Sequence, residues 1–198
     1  MRQEQIDENI KQGNEICDRD MMPNWVCGDA LDSLEESPDA DFLFSCPPYG
    51  DLEVYSKDER DLSNMTKEDF LQSYEEIVDL SVNRLKNNRF ACFVVGNYRD
   101  KDGVLIDLVG ETVHAFEKAG ASFYNDMILV NSTGSLPIRI TKQFSISRKI
   151  GKHHQYVLVF VKGDPKKAAR LLNRRPIQGD PNGTWKSPGQ EEMGFGFV

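Results

Sequence analysis

The residues with the most chemistry to offer are Ser45-Cys46-Pro47-Pro48-Tyr49-Gly50. Two consecutive prolines fix φ twice and remove two N–H donors, so the backbone here cannot enter a sheet ladder and its carbonyls stay free to accept hydrogen bonds. Tyr49 sets an aromatic face beside those carbonyls, suited to stacking on a planar base. Together they could hold a planar substrate that donates hydrogen bonds. Taken alone, the same tetrapeptide would also serve as a rigid turn.

The location of the segment carries as much weight as its composition. It directly follows the run Asp41 to Ser45 (DFLFS), which reads as a strand, and open α/β sheets bind ligands at the carboxyl ends of their strands. Further strands are predicted at Asn24 to Cys27, Arg89 to Val95, Phe123 to Val130 and Tyr156 to Val161. Between them, Thr66 to Lys86 repeats apolar residues at three and four positions behind a capping pair, Thr66 and Asp69, and reads as a helix. Gly103 to Lys118 repeats the pattern and is expected to stop at Gly120. Alternating strands and helices give an α/β fold with a mostly parallel sheet. The last strand is reached without an obvious crossover helix and is expected to run antiparallel. Pro165 to Leu172 reads as a short terminal helix, and the Pro- and Gly-rich stretch 173–198 as a loosely ordered tail in which Trp185, Phe195 and Phe197 could dock on something.

The 198 residues carry a net charge of −8, unevenly spread. Residues 1–136 hold 12 basic and 28 acidic side chains, whereas 137–175 hold 11 basic and one acidic. A basic stretch on an acidic protein can meet a polyanion, through Arg139, Lys142, Arg148, Lys149, Lys152, His153 and His154, with phosphate contact the expected role. The same stretch could be an ordinary solvated surface. His153 and His154 are neighbours on a predicted strand edge and would point apart, with no carboxylates to complete a metal site, so no metal is expected. Four scattered cysteines without C-x-x-C spacing speak against zinc and disulfides. With no long apolar run and no leader-like start, a cytoplasmic protein is expected.

The segments together resemble a known family, the S-adenosylmethionine-dependent DNA methyltransferases that modify exocyclic amines. In that family an Asp, Asn or Ser precedes Pro-Pro-aromatic at the end of a sheet strand; here the position is Cys46, a weaker acceptor. Cys27-Gly28-Asp29-Ala30 resembles the motif whose acid holds the cofactor adenine, although Asp29 could equally cap a helix beginning near Ala30. The runs CPPYGDLEVYS, RFACFVVGNYRDKDG and GSLPIR…RKIGKHHQYVLVFVKGDPK resemble a phage-borne group of these enzymes, and the likeness covers residues 2 to 168.

The resemblance implies a Rossmann-like methyltransferase catalytic region over 1–172, S-adenosylmethionine as cofactor held near Asp29, Ser45 and Cys46, and catalysis by Cys46, Pro47, Pro48 and Tyr49. It further implies a flipped DNA base as substrate, most simply adenine at N6, and target recognition by the basic stretch. The family's glycine-rich cofactor loop has no counterpart, and residues 2–9 resemble the helix after its second strand. The first two strands are therefore expected to be missing, with that half of the cofactor site lost or supplied by a second chain. A catalytically silent DNA- or partner-binding fragment, and RNA as the polyanion, are the competing expectations.

Overall fold

The computed structural model describes residues 3–16, 23–52, 54–132, 134 and 136–172. In chain order these form α1 (Gln3–Ile16), α2 (Ala30–Glu35), β1 (Ala40–Ser45), α3 (Lys67–Arg84), β2 (Leu85–Val95), β3 (Tyr98–Arg99), β4 (Leu105–Ile106), α4 (Leu108–Lys118), β5 (Ala121–Val130), α5 (Leu136–Ser147), β6 (His154–Lys162) and α6 (Pro165–Leu172). The main sheet has the order β1-β2-β6-β5. β1 and β2 are parallel, joined through α3, and β6 is antiparallel to both β2 and β5. Three strands thus share one direction and the last strand is inserted against them, as the sequence predicts.

One face of the sheet carries the core. Strand alternation sends Ala91, Phe93 and Val95 of β2 to the same side as Leu158 and Phe160 of β6, where Phe70, Tyr74, Val78 and Val82 of α3 and Phe116 of α4 bury them. The Phe116 and Phe160 rings stack at 3.9 Å between centroids, and Phe93 meets Phe116 edge-on at 4.9 Å. The buried hydroxyls of Tyr74 and Thr112 satisfy each other at 2.9 Å, which locks α3 to α4 without an unpaired polar group. α6 packs against β2 and β6, with Ala168 buried. Thr66 caps α3 as its sequence predicts: its hydroxyl oxygen accepts from the Asp69 amide and its hydroxyl donates to the Asp69 carboxylate.

Three boundaries differ from the sequence reading. Asn24 to Cys27 is not a strand, since no described residue offers it a ladder partner and β1 bonds only to β2. α3 ends at Arg84 and β2 begins at once, at Leu85, because the Lys162 ammonium collects the carbonyls of Val82 at 2.8 Å and Leu85 at 2.7 Å and so terminates the helix. The second helix starts at Leu108 rather than Gly103. Asp100 accepts from the Val104 amide at 2.8 Å and Gly103 takes φ +83°, so a tight turn closes β3 onto β4 before Asp107 caps α4. Residues 173–198, including Trp185, Phe195 and Phe197, lie outside the described residues. Among those described, no helix is long and apolar enough to cross a membrane.

Candidate active site

The parallel strands β1 and β2 end side by side, Ser45 pairing with Phe93. Because β6 is antiparallel, its first residues lie at this same edge, with Val95 opposite Tyr156 and Val130 of β5 opposite His154. Four strand ends therefore converge here, and the chain leaves β1 through Cys46, Pro47, Pro48 and Tyr49. Cys46 is exposed, the two prolines and Tyr49 are half-buried, and Gly50 is buried.

Tyr49 is held by contacts from two other strands. Gln155 Nε2 donates to its hydroxyl oxygen at 2.7 Å, the hydroxyl donates to the Val94 carbonyl at 3.4 Å, and Cys46 Sγ lies 3.9 Å away. Burial raises the Tyr49 pKa above the ordinary phenol value and the neighbouring Cys46 thiol adds to the effect, so the side chain stays neutral. Gly50 adopts φ +57° and a Cβ there would collide with the Tyr98 hydroxyl, so the turn after Tyr49 admits only glycine on both counts. Among the described residues nothing donates to the Pro47 carbonyl.

Asp29 is the N-cap of α2, accepting from the Leu31 amide at 3.0 Å. Its second carboxylate oxygen faces Arg60 at 3.7 Å, and its side chain is 20% exposed. The capping role is thus present, and both carboxylate oxygens have partners. Arg60 also ties to Asp58, whose carboxyl is held below its usual pKa by hydrogen bonds from the Arg60 amide and guanidinium. Residues 56–64 are tied together here: Asp61 caps the 3-10 turn Leu62–Asn64, and the Asn64 amide reaches the carbonyls of Ser56 and Asp58.

The basic residues separate into two groups. Arg139 and Lys142 are exposed on α5, a helix with no buried residue that stands off the sheet. Arg148 is exposed at φ +56° with its guanidinium 5.4 Å over the Phe144 ring, and Lys149 reaches toward Gly103. His153 is exposed and His154 meets Tyr156 edge-on. Lys152 alone turns inward to the strand ends. Its ammonium donates to the Asn97 carbonyl at 3.1 Å and sits 5.6 Å over the Tyr156 ring. Among the described residues no cluster of His, Cys, Asp and Glu could hold a metal ion.

Cys46, Tyr49 and Lys152 are thus brought together and Ser45 closes β1, whereas the Asp29 carboxylate meets Leu31 and Arg60 rather than any of them. Gln155, the Val94 carbonyl and Arg60 are the parts sequence reasoning did not find. A polar glutamine opening an otherwise apolar strand was the one signal available for Gln155.

No protein-family model matches the chain, and no curated protein matches it. Solved structures do. A protein from Thermus thermophilus described as a DNA modification methylase superposes with a TM-score of 0.51 at 19% identity, over 75% of this chain and 58% of that one. Its complex with S-adenosyl-L-methionine gives 0.50 at 19% identity, over 76% and 57%. The PvuII DNA methyltransferase, specific for cytosine N4, gives 0.50 at 16% identity, over 68% and 47%. At such identity the likeness establishes the α/β methyltransferase-type fold, and the chain spans about half the length of the structures it matches.

Proposed function

We propose that this chain is the catalytic part of a methyltransferase that transfers a methyl group from S-adenosylmethionine to an exocyclic amine of a DNA base. The observation that carries the reading is the braced Tyr49 ring beside the open Pro47 carbonyl, at a sheet edge where four strand ends meet. The base must leave its duplex to reach them. Tyr49 then stacks on it, and the Pro47 carbonyl accepts one amine hydrogen, drawing the nitrogen lone pair out of conjugation and aiming it. Cys46 stands where a second acceptor would be most useful; a thiol accepts weakly, so the carbonyl carries most of the orientation. The amine nitrogen would gain the methyl carbon as the carbon's bond to the cofactor sulfur breaks, leaving a neutral thioether, and would release a proton to solvent.

For the cofactor, Asp29, Ser45 and Cys46 would be the holding residues, with Asp29 accepting adenosyl hydrogens in exchange for its contact with Arg60. When bound, S-adenosylmethionine supplies a methyl group activated by its positive sulfur. Adenine N6 is the target favoured by the motif resemblance. Arg139 and Lys142 on α5, and Arg148 and Lys149 in the turn that follows it, would meet duplex phosphates.

The test is calorimetric titration of S-adenosylmethionine into the chain, followed by transfer of labelled methyl to double-stranded DNA, single-stranded DNA and structured RNA. Cofactor binding with label on DNA amines supports the reading. Binding of DNA without cofactor binding or transfer would overturn it in favour of a silent binding fragment, and label on RNA alone would move the substrate.

A further inference from the structure

Lys152 is the basic residue that the recognition surface does not use. A point in space at the ideal Cβ position of Gly96 lies 3.2 Å from the Lys152 ammonium and 3.6 Å from Cε2 of the Tyr49 ring. The ammonium therefore stands at the rim of the stacking platform, held there by the Asn97 carbonyl, and a Cβ at position 96 would press on it. Of its three donors one is engaged by Asn97. Although the residue as a whole is exposed, its ammonium is partly desolvated and its pKa falls below the ordinary lysine value.

We infer that Lys152 binds the phosphate of the extruded nucleotide itself, while Tyr49 holds that nucleotide's base. This rests on the reading above. The choice of phosphate over base follows from charge: the amine becomes more positive as it takes the methyl group, and an ammonium donating into the conjugated ring would oppose that. A phosphate oxygen has no such conflict, and an anion restores the charged form that desolvation disfavours.

The test uses duplexes carrying one unpaired, bulged deoxyadenosine, with either a normal phosphate or an uncharged methylphosphonate beside it, and a fully paired duplex as reference. The wild-type chain should bind the bulged duplex more tightly than the paired one and lose about tenfold when the flanking phosphate is neutralised. Lys152→Gln should lose the same tenfold with the normal bulge and nothing further with the methylphosphonate. Lys152→Arg, which keeps the charge, should retain the preference. Losses that multiply, or a Lys152→Gln defect equal on bulged and paired duplexes, would overturn the assignment and return Lys152 to the general phosphate surface. A wild-type chain that binds none of these duplexes would remove the DNA reading itself.

Discussion

Gln155 and Tyr49 lie 106 positions apart in the sequence and are joined by a 2.7 Å hydrogen bond across the mouth of the sheet. The bond exists because β6 runs antiparallel between β2 and β5, which brings its first residues to the edge where β1 ends. Without Gln155 the Tyr49 hydroxyl would keep only the long contact to Val94 and the ring would rotate more freely. Gln155→Leu should cost about 1 kcal/mol of stability and lower kcat more than it raises KM for DNA. Tyr49→Ala should abolish transfer, and Tyr49→Phe should retain most of it. In the cycle of Tyr49→Phe with Gln155→Leu, the double variant should be less impaired than the sum of the singles, since removing both partners leaves nothing unsatisfied. Additive effects would mean that Gln155 does not act through Tyr49.

Gly50 couples backbone conformation to packing at the same place. Gly50→Ala has to accept a left-handed φ of +57° and displace the buried Tyr98 hydroxyl. A loss of about 1 to 3 kcal/mol in urea unfolding is expected, with weaker DNA binding as Tyr49 shifts. An alanine variant as stable as the wild type would show that the turn is not pinned.

The two basic clusters offer a separable measurement. Neutralising Arg148 and Lys149 to glutamine should reduce the slope of log K against log salt by about 2, and so should neutralising Arg139 and Lys142 on α5. An unchanged slope in one pair would move the duplex off that cluster. A loss of affinity with no change of slope would point to packing, for which the Arg148 contact with Phe144 is the candidate.

The parts of this molecule that could be read from sequence are those encoded locally. α3 was legible because Phe70, Tyr74, Val78 and Val82 must all reach the core and Thr66 caps their helix. α5 was harder to read: Leu136, Ile140 and Phe144 recur at four residues, but Ile138 and Ile146, 81% and 75% exposed, fall off that face, and the helix buries no residue. Pro137 in its first turn was a further signal. The start of β2 was hidden because Lys162, from a distant strand, ends α3. At the site, Cys46 to Tyr49 announce themselves by composition. Gln155 and Lys152 acquire their positions only from strand order, which no local pattern encodes.

Acid should loosen α6 through its cap. Asp164 accepts from the amides of Lys166 at 2.8 Å and Lys167 at 3.2 Å, and these bonds, with that from Lys167 foremost, hold its carboxyl below the ordinary aspartate value. A carboxylate whose folded pKa is depressed contributes stability that is present above its unfolded pKa and is lost as pH falls through the folded one. The cap therefore acts fully at neutral pH and disappears below about pH 4. Asp164→Asn keeps an acceptor at the cap but cannot titrate, so its Tm should lie below that of the wild type at neutral pH and converge on it in acid. The comparison isolates Asp164 from Asp41, Asp58 and Asp61, which are lowered as well and are present in both proteins. Hydrogen exchange of the Lys166 and Lys167 amides, protected at neutral pH and opened in acid only in the wild type, would locate the change; a constant Tm difference across the range would mean that the cap carries no proton-linked stability.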